Sequence, residues 1–80
     1  MALYFFHLHE CGTATLDHDG LDRNSLEDVR AEALRAAREV MCAEVAEGKL
    51  CLACYIEVHD EAGGVVMTVP FKEAVAVTGI

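Results

Sequence analysis

The strongest constraint on the fold is one amphipathic segment in the middle of the chain. Ser25 is suited to cap a helix, and Asp28 three residues later completes a capping-box pattern. Gly48 is a natural stop at the other end. The pattern predicts one helix over residues 26–46. Apolar residues at helical spacing form its buried stripe: Leu26, Val29, Ala33, Ala37, Val40, Met41 and Val45.

The segment before this helix predicts a β-hairpin. Residues 2–9 alternate between the two faces of a strand, and the Cys-Gly pair at 11–12 is a turn signal. Residues 13–16 predict the second strand, which the Asp-x-Asp-Gly run at 17–20 ends. One face of the first strand carries Tyr4, Phe6 and Leu8, and the other carries Phe5, His7 and His9.

Two further strands are predicted after the helix. Residues 52–59 alternate between apolar and mixed positions, and the glycine-containing run at 60–64 predicts a tight connection. Residues 65–70 then predict the last strand. The apolar, alanine-rich run at 71–77 favours a short helical turn, with extension of the strand as the alternative.

These elements predict a single domain over residues 1–80 in the order β-β-α-β-β. Its class is α+β, with one helix packed on one face of a four-stranded, mainly antiparallel sheet. The other face is left to a mixture of aromatic, imidazole, polar and apolar side chains: Phe5, His7, His9, Tyr55, Glu57, His59, Val66 and Thr68. Exposed patches of this kind often mark contact surfaces, and open sheet edges favour pairing with another chain. We therefore expect an interaction face.

The charge of the chain limits its partners. Six basic and 14 acidic side chains give a formal net charge of −8. Because Lys and Arg supply most of the affinity for phosphates, we expect no direct binding of nucleic acid or of an anionic membrane. A homo-oligomer or a basic protein partner is expected instead. No apolar stretch approaches the roughly 20 residues of a membrane span, and no export signal is visible, so we expect a cytoplasmic location.

Cysteines offer one candidate site. Cys51 and Cys54 have the CxxC spacing, at which two thiolates hold a metal or form a redox disulfide. A structural zinc site needs two more ligands. If the third strand starts near Leu52, extended geometry also sends the two thiols to opposite faces. The favoured interpretation makes Cys54 a buried small hydrophobe and Cys51 a loop residue, with the thiols reduced.

Histidines offer a second candidate site. His7 and His9 share one face of the first strand with Cys11, and His59 joins them if the first and third strands are neighbours. Imidazole clusters bind zinc, nickel or copper. Alternation alone also places such residues on a shared face, so we favour interface or solvated residues over a metal site.

The sequence shows no recognisable catalytic motif. Asp17, Asp19 and Asp22 resemble the start of a calcium loop, but the remaining spacing and the closing glutamate are missing, which favours turn chemistry. No nucleophile elbow, P-loop or dinucleotide fingerprint occurs. We expect a protein that is not an enzyme and that needs no cofactor.

Several runs together resemble a domain-of-unknown-function family of small bacterial proteins. They are YFFH at residues 4–7, the aspartate-glycine turn at 17–20, SLEDVRAEA at 25–33 and the strand-turn-strand run at 56–71. The resemblance covers nearly the whole chain. It implies the β-β-α-β-β order and no assigned activity. It also implies that Cys51 and Cys54 lie in a variable stretch.

A more distant likeness concerns function. The hairpin, the aspartate-glycine turn, the helix from Ser25 and the following strand are similar to the HicB-like antitoxin fold, in which an acidic domain neutralises a small basic ribonuclease toxin. Our first expectation is a non-enzymatic interaction or self-association module. The second is such an antitoxin, and the third is a metal- or redox-responsive protein that uses the histidines or the CxxC pair.

Overall fold

The computed structural model describes residues 2–79 and contains one helix on an antiparallel sheet. The elements are β1 (Ala2–Glu10), β2 (Thr13–Thr15), β3 (Leu21–Arg23), α1 (Leu26–Ala46), β4 (Tyr55–His59), β5 (Val65–Pro70) and a 3₁₀ turn (Phe71–Glu73). The strand order is β2-β1-β4-β5, with β3 also paired to β1. The predicted α+β class is confirmed, with five strands instead of four.

Helix α1 has the predicted bounds. The Ser25 Oγ accepts a hydrogen bond from the Asp28 N–H at 3.2 Å, as the capping pattern predicts. The buried stripe differs at its ends, because Leu26 is 52% exposed and Val45 is 59% exposed, whereas Glu44 is buried. Four-residue steps from Val29 to Met41 overshoot the 3.6-residue turn, so the next inward position comes after three residues, at Glu44.

Strand β1 has two short partners on the same side. Its C-terminal half pairs with β2, with Leu8 opposite Thr15, and its N-terminal half pairs with β3, with Tyr4 opposite Leu21. The pattern of the sequence missed β3, because three residues are too few to show alternation. β3 is a strand only because it pairs with the longer strand β1.

Strand β4 begins three residues later than predicted. Residues 52–53 form a turn, and the backbone becomes extended only from Tyr55. The hairpin of β4 and β5 has an irregular register near Val58 and His59, where Val65 comes to lie opposite His59. Because of this shift Val66 packs against the core, so its predicted place on the uncovered face is wrong.

The core lies between α1 and the sheet. Its largest fully buried side chain is Phe71, in the 3₁₀ turn, and the Phe71 N–H donates to the Cys54 carbonyl at 2.9 Å. This confirms the predicted turn after the last strand. Tyr4, Phe6 and Leu8 pack against this core, as the alternation of β1 predicts. Within residues 2–79, no helix is both long and apolar enough to cross a membrane.

Candidate functional site

The sheet face opposite the helix gathers the predicted interaction residues. Strands β1 and β4 are neighbours, and their register places His7 opposite Glu57, Phe5 opposite His59 and His9 opposite Tyr55. Cross-strand partners on one face lie about 5 Å apart, so these side chains are neighbours on the sheet surface. We call this surface the histidine face: Phe5, His7, His9, Tyr55, Glu57 and His59. All six side chains are half-buried.

Glu57 sits among three imidazoles. The His59 Nε2–H donates to Glu57 Oε1 at 2.7 Å, and the His9 Nε2 lies 3.8 Å from the same oxygen. The hydrogen bond from His59, followed by the charges of His9 and His59, lowers the pKa of Glu57 below its ordinary value. The face therefore holds one firmly ionised carboxylate with imidazoles around it.

The two remaining ring contacts complete the face. His7 and His59 meet edge-to-face with their centroids 4.6 Å apart, and His9 stacks on Tyr55 at 4.6 Å. Burial, and then the neighbouring His59, lowers the pKa of His7. The His7 Nδ1 accepts a hydrogen bond from the Asp17 N–H at 3.0 Å, which favours the neutral ring as well.

The aspartate-glycine turn supports the histidine face. The Asp17 carboxylate accepts hydrogen bonds from the N–H groups of Phe6, Asp19 and Gly20 at 3.1–3.2 Å. Burial alone raises the pKa of Asp17, but these three donors outweigh it and lower the pKa overall. Because backbone groups engage both oxygens, the turn has the local chemistry that its sequence predicts.

The second gathering of reactive groups is at the end of the sheet where β1 ends and β4 begins. The Sγ atoms of Cys11, Cys51 and Cys54, the cysteine cluster, all lie within 4.8 Å of one another. The Cys11 and Cys51 sulfurs are 2.9 Å apart and hydrogen-bonded. Within residues 2–79 this is the only such group of three or more His, Cys, Asp or Glu ligands; the predicted histidine set does not form one.

The turn at residues 52–53 explains why the thiols meet. An extended backbone would have sent Cys51 and Cys54 to opposite faces, and that expectation is wrong because β4 starts only at Tyr55. The turn instead brings the Cys51 and Cys54 sulfurs within 4.8 Å of each other. The structure places Cys54 in the core and Cys51 in a loop, as predicted.

The three thiols differ in acidity. Burial raises the pKa of Cys54 to about 12. The hydrogen bond between Cys11 and Cys51 raises the pKa of Cys11 and lowers that of Cys51. Cys51 is therefore the most readily ionised thiol of the three, and thiolates are the form that attacks electrophiles and binds metals.

A shallow cavity of about 330 Å³ opens onto the cysteine cluster. Glu44 lines it together with Lys49, and the Glu44 Oε1 is buried with no hydrogen-bond partner in the structure. The sequence pattern does not single out Glu44, because one acidic residue near the end of an amphipathic helix is typical of its solvated face. Cys11 was linked to the histidines only, since nothing local indicates that β1 ends beside the CxxC turn.

The family model described as Domain of unknown function (DUF6894) matches residues 3–72. The chain belongs to this family. The match confirms the resemblance to a domain-of-unknown-function family, and it spans both the histidine face and the cysteine cluster. No curated protein and no solved structure matches the chain. The likeness to HicB-like antitoxins therefore stays a prediction.

Proposed function

We propose that this member of DUF6894 is a non-catalytic interaction module that pairs with a second copy of itself through the histidine face. The observation that carries the proposal is the composition of that face. Aromatic and imidazole side chains pack side by side on the sheet surface opposite α1, around one ionised carboxylate. Surfaces that join rings with a few paired polar groups are typical of interface cores.

The histidine face is suited to a copy of itself. A two-fold interface brings the same patch from both subunits together, so the patch must contain its own complement. Glu57 supplies the acceptor, and the imidazoles of His9 and His59 supply donors. Only one of the 14 acidic side chains belongs to the face, so the net charge of −8 lies elsewhere and opposes pairing weakly.

Phe5 and Tyr55 are the expected anchors. Large aromatic side chains near the centre of an interface dominate binding energy, because they bury much area and lose little rotamer freedom. Tyr55 is already held by its stack on His9, so docking costs little further side-chain entropy.

A basic partner is the second candidate, and the net charge of −8 supports it. Among the strands of residues 2–79, β5 also has its outer edge unpaired, and such an edge can accept a strand from another chain. A small basic ribonuclease, of the kind that HicB-like antitoxins neutralise, fits both features.

Light scattering coupled to size-exclusion chromatography tests the first proposal. The wild-type chain of 8.7 kDa should elute with twice that mass. Tyr55→Lys should elute as a monomer, because it places a cation in the middle of the paired face. Val45→Lys is the matched control, since it makes the same charge change at an exposed position on the helix and should stay dimeric.

Two results would overturn self-association through this face. One is a wild-type chain that stays monomeric at concentrations up to about 1 mM. A dissociation constant above that value corresponds to a binding free energy of less than about 4 kcal/mol, which is too little for a specific dimer. The other is an equal response of Tyr55→Lys and Val45→Lys. A monomer that forms a salt-sensitive complex with a small basic ribonuclease would favour the second candidate.

A further inference from the structure

We propose that Cys11, Cys51 and Cys54 bind one Zn²⁺ ion, and that Glu44 supplies the fourth ligand. This site goes beyond the proposed self-association and does not depend on it. The ligands come from three parts of the chain: the turn after β1, the turn before β4 and the last helical turns of α1.

The arrangement of the thiols fits a zinc ion. Zinc–sulfur bonds of about 2.3 Å in a tetrahedron set the sulfurs about 3.8 Å apart. The three sulfurs already lie within 4.8 Å of one another, so all can reach one centre after shifts of less than about 1 Å. Among the thiols, the main adjustment is that Cys11 and Cys51, now 2.9 Å apart, must separate. Both are surface-turn residues, which move at little cost.

The backbone around the CxxC turn holds its two thiols on one side of the chain. Residues 52–53 form the turn between Cys51 and Cys54, and the Phe71 N–H donates to the Cys54 carbonyl at 2.9 Å. Contacts of this kind fix the orientation of metal ligands before the ion binds.

Glu44 is the independent observation that points to a ligand. Its residue is 8% exposed, its Oε1 has no hydrogen-bond partner, and it lines the same cavity as the three cysteines. Glu44 does not belong to the group of ligand atoms that already lie within 4.8 Å of one another, so its side chain must rotate toward the sulfurs to bind the ion. A buried carboxylate oxygen without a partner is costly, and a cation in the cavity removes that cost. Lys49 lines the cavity too and offsets part of the charge of four anionic ligands.

The donor set selects zinc among the thiophilic ions. Three thiolates alone also suit Cu(I), which prefers soft sulfur donors. A carboxylate oxygen as fourth ligand does not suit Cu(I), but it is an ordinary ligand for zinc at about 2.0–2.2 Å. The joint presence of Glu44 and the cysteine cluster therefore indicates Zn²⁺.

Metal titration of the reduced, full-length chain tests the site. The wild type should take up one Zn²⁺ per chain in competition with a chromophoric chelator. Co²⁺ in its place should give the thiolate charge-transfer bands and the visible bands of a tetrahedral site. Cys51→Ser and Cys11→Ser should each weaken zinc binding by at least about 100-fold, because loss of a ligand exceeds the 10–100-fold effect of an outer-shell change.

Cys42→Ser is the matched control, because Cys42 is an exposed thiol on α1 outside the cluster. It should bind zinc as the wild type does, and circular dichroism should show that every variant keeps its fold. Glu44→Gln removes the anionic fourth ligand, so it should also weaken binding by at least about 100-fold and shift the visible Co²⁺ bands. His59→Ala should leave the affinity unchanged.

Several results would overturn the inference. Failure of the reduced wild type to bind zinc stoichiometrically, or binding of Cu(I) without Zn²⁺, rejects the zinc site. Equal losses in Cys42→Ser and Cys51→Ser, or loss of zinc in His59→Ala, reject the cysteine cluster as the ligand set. Unchanged affinity and bands in Glu44→Gln reject the fourth ligand. A chain that binds zinc yet stays monomeric would separate this site from the proposed self-association.

Discussion

The histidine face and the cysteine cluster both gather reactive side chains, but they differ in how those side chains are satisfied. On the histidine face, Glu57 accepts a hydrogen bond from His59, and His7 accepts one from the Asp17 N–H. These polar groups therefore have hydrogen-bond partners within the chain. At the cysteine cluster, the buried carboxylate of Glu44 has no partner. A satisfied group of side chains suits a contact surface, whereas an unsatisfied one suits a ligand.

The largest loss of stability is expected from a substitution in the core, on which the histidine face and the cysteine cluster both rest. Phe71→Ala should lower the free energy of unfolding by about 3–5 kcal/mol, because it empties the largest fully buried position. Urea denaturation followed by circular dichroism measures it. A loss below about 1 kcal/mol would mean that Phe71 is not part of the core. The histidine face and the cysteine cluster would then not depend on a core that includes the 3₁₀ turn.

The second prediction concerns how fast the thiols of the cysteine cluster react with an alkylating agent. Burial raises the pKa of Cys54 to about 12, so near pH 8 its alkylation should be at least about 100-fold slower than that of Cys51. Mass spectrometry after timed iodoacetamide treatment of the reduced, metal-free chain resolves the thiols, with the exposed Cys42 as internal reference. Equal rates at Cys51 and Cys54 would contradict the different acidities.

A glycine pair tests whether the aspartate-glycine turn supports the histidine face. Gly20 has φ +72°, and an added Cβ would lie 3.0 Å from side-chain atoms of Leu3 and Phe5. Gly20→Ala should therefore lower the free energy of unfolding by about 2–3 kcal/mol. Gly12 has a similar φ of +78° with open space around it, so Gly12→Ala should lose only about 1–2 kcal/mol. Equal losses in urea denaturation would mean that packing against Phe5 contributes nothing.

The smallest effect concerns acid stability. The folded state lowers the pKa of Asp17, so its contribution is present above the ordinary value of 3.8 and is lost as the pH falls through the folded value. Asp17→Asn should cost about 1–2 kcal/mol at pH 7 and flatten the stability profile below pH 4. Asp22→Asn, on the exposed β3, should change stability by less than about 0.5 kcal/mol. Identical pH profiles of the two variants would contradict the role of Asp17.

Local signals predicted the elements that depend on neighbours in sequence. The bounds of α1 follow from the Ser25 cap and the helical spacing, and the two faces of β1 follow from alternation. The histidine face was predictable because alternation assigns each residue of β1 and β4 to one side of its strand. The only further assumption is that these two strands are neighbours in the sheet. The bulge that turns Val66 inward was not predictable, because it arises from the pairing of β5 with β4.

The cysteine cluster depended on contacts that no local pattern encodes. Cys11 and Cys51 are 40 positions apart, and they meet only because β1 and β4 are antiparallel neighbours. Glu44 looks like a solvated helix residue until the helix docks and turns it inward.

By itself, therefore, the sequence determined the helix, the strand faces and the acidic character, because capping, periodicity and charge act over a few residues or add over the whole chain. Only the tertiary structure decided which distant thiols share a cavity with a buried carboxylate, because strand order and helix docking are cooperative results of packing the whole core.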